Sequence, residues 1–272
     1  MKPPLLRAFI TLVVVLLFAQ KATAGQVEVL WLGHATTKIT SVNGKTILID
    51  PATTSLPTAP EKYKNLDNLG NIDLILITHG HGDHVSDLAA IAKKSGAKVV
   101  AAYELVLQMV SLGVIEKEQA LYMNKGGMVT PLGPGIKIHM VPAEHSSSIK
   151  LPNPKPGEIT FVDAGNPVGY VIELENGFKI YHSGDTDVFS EMALIGELHA
   201  PDLAMVCVGG HFTMDGKGAA YALSRFIKPK QVIPIHYATY PMLYGTPEQM
   251  KEALGDSPIK VLDVKPGETV KF

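Results

Sequence analysis

The chain has 272 residues, of which 46% are hydrophobic and 18% charged, with a formal net charge of −2. That is ordinary globular composition, long enough for one large domain or two small ones. No block of like charge stands out, so no nucleic-acid partner is expected.

Lys2 and Arg7 open the chain with a short basic stretch, and an apolar run follows from Ala8 to Ala19, broken only by Thr11. Ala22-Thr23-Ala24 before Gly25 is a small-x-small cleavage pattern, so residues 1–24 read as a secretory signal peptide and 25–272 as the mature domain. The apolar run is shorter than the roughly twenty residues a membrane span needs, so no stable membrane insertion is expected after cleavage. A bacterial periplasm fits best. Cleavage removes Lys2, Arg7 and Lys21 and no acid, leaving 21 basic against 26 acidic side chains. Cys207 is the single cysteine, set in the apolar stretch Leu203–Val208; it reads as a small buried hydrophobe.

Val27–Leu32, Thr36–Thr40 and Thr46–Ile49 read as strands, with Asn43-Gly44 signalling a hairpin between the second and third. Leu74–Thr78 is a short apolar run entering a histidine cluster. A helix is expected from about Val85 to Lys94, a strand at Val99–Ala102 and a helix at Tyr103–Leu112. Further strands are expected at Ile136–Val141, Val168–Glu175, Phe178–His182, Leu203–Val208 and Gln231–Ile235, with Asn176-Gly177 as a second hairpin turn. Ala219–Ile227 and Pro247–Leu254 read as helices, and Val261–Val264 and Thr269–Phe272 as closing strands. The Pro-rich residues 150–158 read as a surface loop. Strands grouped in this way, with helices late in each half, imply an α/β sandwich: two sheets back to back with helices outside.

Ten histidines occur, three of them inside Thr78-His79-Gly80-His81-Gly82-Asp83-His84. Imidazole and carboxylate form a ligand set suited to zinc, manganese or iron. The glycines at 80 and 82 are expected to let the backbone turn so that alternate side chains converge. A loop between a buried strand and a helix gives those ligands a rigid mount.

The His-x-His-x-Asp-His pattern after a strand resembles the signature of the metallo-β-lactamase superfamily. Trp31-Leu32-Gly33-His34-Ala35, Asp50-Pro51, Met123-Asn124-Lys125-Gly126-Gly127, Ala143-Glu144-His145-Ser146-Ser147, Ser183-Gly184-Asp185-Thr186 and Pro234-Ile235-His236-Tyr237 extend the resemblance, in order, to its uncharacterised metal-dependent hydrolases. Ascorbate-6-phosphate lactonases and, more distantly, phospholipase D-type hydrolases releasing N-acylethanolamines are similar named groups. The resemblance implies an αββα sandwich of two mixed sheets holding two divalent metal ions, zinc first, with manganese or iron as the other fits. It implies His79, His81 and His145 at the first ion, Asp83, His84 and His236 at the second, and Asp185 bridging. A hydroxide bridging the two ions would attack a small ester, lactone or phosphoester. Asp83 would orient it and help protonate the leaving group. Asp185 stands where common zinc β-lactamases carry a cysteine, which argues against penicillin as the native substrate.

The same resemblance places His34 near the site, as an outer partner of the ligands or a substrate contact. Gly209-Gly210-His211-Phe212-Thr213-Met214 resembles a family loop that usually has Asp-Asn before Phe-Thr-Met. His211 there would orient substrate or shuttle protons. Tyr237 and Tyr240 follow His236 and are candidates for the pocket wall. His182 reads as a structural or outer-shell histidine, and His139 and His199 as ordinary. A small-molecule substrate is expected, and homo-oligomers are left open. Two other readings remain: iron-dependent redox chemistry on the same fold, and a metal-binding protein without turnover.

Overall fold

The computed structural model describes residues 25–151, 155–158 and 160–272. The expected signal segment, 1–24, lies outside the described residues, as do positions 152–154 of the Pro-rich loop and position 159 just beyond it. The strands in chain order are β1 (Glu28–Trp31), β2 (Thr37–Thr40), β3 (Thr46–Ile49), β4 (Leu74–Leu76), β5 (Lys98–Ala102), β6 (Ala120–Met123), β7 (Met128–Val129), β8 (Lys137–Pro142), β9 (Ser148–Lys150), β10 (Phe161–Asp163), β11 (Val168–Glu173), β12 (Lys179–His182), β13 (Leu203–Cys207), β14 (Gln231–Ile235), β15 (Lys260–Val261) and β16 (Thr269–Lys271). The helices are α1 (Glu61–Lys64), α2 (Gly82–Val85), α3 (Leu88–Ser95), α4 (Tyr103–Ser111), α5 (Met192–His199), α6 (Gly216–Ala222) and α7 (Pro247–Leu254).

One sheet runs β16-β1-β2-β3-β4-β5-β6 and the other β15-β14-β13-β12-β11-β8-β7, while β9 and β10 form a separate ribbon. Both large sheets are mixed. Strands β3 to β6 are parallel in the first and β12 to β15 in the second, and the remaining pairs are antiparallel. Both Asn-Gly hairpins form where the sequence signals them.

Burial follows from the layering. Residues of β1 and β2 alternate between buried and half-buried, whereas β3, β4 and β13 are buried throughout, as strands covered on both faces must be. In β13, Leu203 and Met205 join the core shared with the first sheet, while Ala204 and Val206 face the opposite layer with Met192 and Ile195 of α5, Ala219 of α6 and Met250 of α7. On the first sheet, Leu88 and Ile91 of α3 and Leu105, Val106 and Met109 of α4 complete that shared core. The result is helix, sheet, sheet, helix, as the sequence implies. No helix among the described residues is long and apolar enough to cross a membrane.

The structure departs from the sequence reading in several places. The helix expected at 85–94 is two helices, α2 and α3, because Asp87 accepts hydrogen bonds from Thr53 Oγ1 (3.1 Å) and Thr54 N (2.9 Å) while its own N–H donates to Pro51 O (3.0 Å). Helices α1 and α5 and strands β6, β7, β9 and β10 appear where no element is expected. Helix α6 starts earlier, capped by Asp215, whose Oδ1 accepts Gly218 N at 2.8 Å. The strand expected at 261–264 is reduced to Lys260–Val261.

Candidate metal centre

Parallel pairing of β3 with β4 sets the first half of the centre. Asp50 follows β3 and Thr78 follows β4, so the two lie side by side. Asp50 Oδ1 accepts Thr78 N at 2.8 Å, and Oδ2 accepts both the Thr78 hydroxyl at 2.7 Å and His84 Nδ1 at 2.9 Å. The Thr78 hydroxyl has thereby given its proton away, so its oxygen accepts from His79 Nδ1, 3.0 Å distant. This network assigns the tautomer of both rings: each carries its proton on Nδ1 and presents a bare Nε2 inward.

Neither glycine of the loop adopts a positive φ, so conformational freedom is not why they are there. A Cβ on Gly80 would lie 2.8 Å from Ser148 O, whereas one on Gly82 would meet nothing within 4 Å. Gly80 is small because β9 passes against it. Its N–H donates to Ser147 Oγ at 3.2 Å.

The second sheet brings the remaining residues from the ends of its strands. His145 follows β8, Asp185 follows β12 and His236 follows β14. The turn before Asp185 is fixed by His182: Gly184 N donates to its Nδ1 at 3.2 Å, and its Nε2 donates to Ala35 O at 3.0 Å. That histidine is structural. Asp185 then sits among the imidazoles, its Oδ1 3.4 Å from His84 Nε2 and its Oδ2 2.9 Å from His236 Nε2, 3.7 Å from His145 Nε2 and 4.0 Å from His79 Nε2. His79 Nε2 also faces His81 Nδ1 at 2.9 Å. Asp83 Oδ2 lies 4.0 Å from His236 Nε2.

All seven residues implied as ligands are thus together, in overlapping groups whose donor atoms lie within 4.8 Å: His79, His81 and His145; His79, His84 and Asp185; and Asp83, His84 and His236 joined by His34. Buried, unpartnered atoms test whether a cation fits. His84 Nε2, Asp185 Oδ1 and both ring nitrogens of His236 have no hydrogen-bond partner. A bare imidazole nitrogen facing a carboxylate oxygen in a buried site needs a positive charge between them, so the donor set fits metal cations.

Titration properties agree. Burial, reinforced by the neighbouring imidazoles, pulls His79 well below the usual histidine range, and burial likewise lowers His81 and His145. Burial would raise Asp185, yet the charges of His236 and His84 hold it well below the carboxylate range. Asp83 is held low against its burial by the His34 hydrogen bond and by His84. Three neutral imidazoles and two ionised carboxylates are the forms that ligate. His84 is the exception: burial lowers it, but Asp185 and Asp50 together lift it well above the usual value, so a proton competes there with a metal.

The other candidates are distributed differently. His34 is buried against Asp83 and His236, at 3.0 Å from Asp83 Oδ2. Burial first and His236 next lower it to about 4. His211 is exposed, with φ 60°, its ring edge-on to Phe212; its loop is tied toward Asp185 through Met214 N, which donates to Thr186 O at 2.9 Å. Tyr237 stacks on Trp31 and packs on the core, while Tyr240 stands edge-on to His34 at 5.9 Å. The rings of His139 and His199 lie 4.8 Å apart, centroid to centroid, tilted at 57° and outside the ligand groups. Cys207 is fully buried, and burial raises its thiol to about 11. Sequence reasoning gave no role to Asp50, Thr78 or Thr239. An aspartate directly after one parallel strand and a threonine two residues past the end of its neighbour are the available signal.

Residues 45–237 match the beta-lactamase superfamily domain, a span that includes all seven ligand candidates. The chain is 48% identical over 256 residues to a UPF0173 metal-dependent hydrolase of Cupriavidus necator, covering 93% of this chain and 89% of that protein. It is 43% identical over 257 residues to one of Thermodesulfovibrio yellowstonii, covering 92% and 94%. Among solved structures it is similar to Igni18, a metallo hydrolase of the archaeon Ignicoccus hospitalis, with TM-score 0.77, 33% identity and coverage of 91% and 98%.

Proposed function

The chain belongs to the UPF0173 metal-dependent hydrolases of the beta-lactamase superfamily, and from that premise we propose that it is an exported two-metal hydrolase of a small ester, lactone or phosphoester. The observation that carries the reading is Asp185, one carboxylate facing His79 and His145 of one ligand set and His84 and His236 of the other. These residues would hold two divalent ions, whose chemistry would be to make a water nucleophilic near neutral pH.

The chain's own residues do the rest. Asp50 and Thr78 hold two rings with their lone pairs inward. Asp185 spans the two sets with both oxygens. Asp83, 29% exposed at its side chain against 4% for Asp185, is the carboxylate of the set open to a reactant. Ionised at neutral pH, it is the carboxylate placed to orient the nucleophile.

Elemental analysis of protein purified without chelator should approach two ions per chain. Asp185→Ala should loosen both together and abolish hydrolysis across a panel of esters, lactones and phosphoesters. Retention of both ions and full activity would remove the model. For export, protein from the periplasmic fraction should begin at Gly25; intact Met1 on cytoplasmic protein would remove that part.

A further inference from the structure

His34 touches the ligands of one set from behind. It follows β1 in a loop where its φ is 51°, and its carbonyl accepts both the Trp31 indole N–H at 3.0 Å and the His236 backbone N–H at 2.9 Å. Its ring lies 3.7 Å from the His236 ring, centroid to centroid, and 5.6 Å from that of His84. Nε2 lies 3.0 Å from Asp83 Oδ2 and Nδ1 lies 2.9 Å from Thr239 Oγ1. The described contacts therefore reach Asp83, His236 and His84, and none reaches His81 or His145.

The proton on this ring can be placed. A bare Nε2 3.0 Å from a carboxylate oxygen would be repulsive, so Nε2–H donates to Asp83 Oδ2. The Thr239 hydroxyl, 2.9 Å from Nδ1 against 3.3 Å from Tyr237 O, then donates to the nearer Nδ1, which agrees with that tautomer. The His34 side chain has no exposed surface, so it does not meet substrate and acts only through its neighbours. A left-handed backbone at a non-glycine residue, held by two hydrogen bonds to one carbonyl, is strain that the surroundings impose.

We propose that His34, locked by Thr239, is a positioning residue for the second metal site alone: it fixes the angle of the Asp83 carboxylate and backs the ring of His236. The proposal rests on the two-metal reading. Outer partners of ligating carboxylates are worth about ten- to a hundredfold in metal affinity.

The test is Mn2+ binding to chelator-stripped protein, followed by the free-ion electron paramagnetic resonance signal. His34→Asn removes the ring and its donor while asparagine tolerates the positive φ. It should weaken one of two ions about ten- to a hundredfold and leave the other unchanged. Thr239→Val, which keeps the ring but frees its tautomer, should weaken the same ion less. His34→Gln, with an amide donor on a longer side chain, should recover part of the loss. His145→Ala should weaken the other ion, and the His34→Asn, His145→Ala double variant should hold neither tightly. A double variant that keeps one tight ion would put both residues at one site and overturn the proposal, as would equal weakening of both ions by His34→Asn, the mark of a general structural role. Two unchanged ions in His34→Asn overturn the assignment alone. A wild-type protein that binds a single ion overturns the two-site reading itself, and the second-site assignment of His34 with it.

Discussion

Asp50→Asn should cost metal affinity although Asp50 touches no metal position. The carboxylate accepts three donors, Thr78 N on Oδ1 and the Thr78 hydroxyl and His84 Nδ1 on Oδ2. A carboxamide has one acceptor oxygen, so in either orientation its NH2 faces a donor. The Thr78 hydroxyl can rotate to relieve this. His84 can relieve it only by moving its proton from Nδ1 to Nε2, the nitrogen that faces Asp185 at 3.4 Å. The substitution thus places a proton where a lone pair is needed. Loss of such an outer partner lowers metal affinity about ten- to a hundredfold, or about 1.4–2.8 kcal/mol. The metal-free fold should also weaken, by about 2–5 kcal/mol, because a buried carboxylate paired with His84 is lost. Competition against a chromophoric chelator measures the first quantity and urea unfolding of the stripped protein the second. Unchanged affinity for both ions would refute the tautomer argument, and a loss confined to stability would leave Asp50 a scaffold residue only.

Gly80→Ala should cost about 1–3 kcal/mol in urea unfolding, since its Cβ must displace Ser148 O, while Gly82→Ala should be near neutral because its Cβ meets nothing; equal losses would refute the close-approach account. His211→Asn keeps a residue tolerant of the observed φ of 60° and leaves the ligands intact, so kcat/KM ratios between substrates should change while metal content does not, and unchanged ratios would make the loop a bystander. Burial lowers both His139 and His199 from the ordinary 6.5, so the unfolded chain takes up their protons first as pH falls. Their contribution to stability is complete above about 6.5 and is lost as pH drops toward the folded values. Urea midpoints of the stripped protein at pH 7.5 and 5.5 should therefore converge in a His139→Gln, His199→Gln variant relative to wild type, and an identical pH dependence would show that the pair is not shifted.

Local signals in the sequence suffice where the structure is local. Asn43-Gly44 and Asn176-Gly177 close the hairpins they signal, and alternating or continuous apolar runs mark strands that are covered on one face or two. The elements missed lack such signals. Helix α5 has no side-chain cap and carries Gly196 in its middle, a residue that weakens the helical pattern. It is needed because a Cβ there would fall 2.3 Å from Phe226 O. The break between α2 and α3 is set by Thr53 and Thr54, more than thirty residues upstream of Asp87.

The same division runs through the metal centre. Three histidines and an aspartate within six residues announce the donor atoms, with His79 and His81 in the loop after β4 and Asp83 and His84 on α2. Which nitrogen each ring offers is decided elsewhere. Asp50 reaches His84 across 34 positions, and His34 reaches Asp83 across 49 and Thr239 across 205. No periodicity or spacing encodes those distances, since they exist only once β3 lies against β4 and the loop after β14 folds over the loop after β1. A chain with the ligand loop intact but Asp50, Thr78 or His34 replaced would read almost identically as a sequence. It should hold at least one of its metals one or two orders of magnitude more weakly, so the strength of the site is a property of the sheet pairing rather than of the motif.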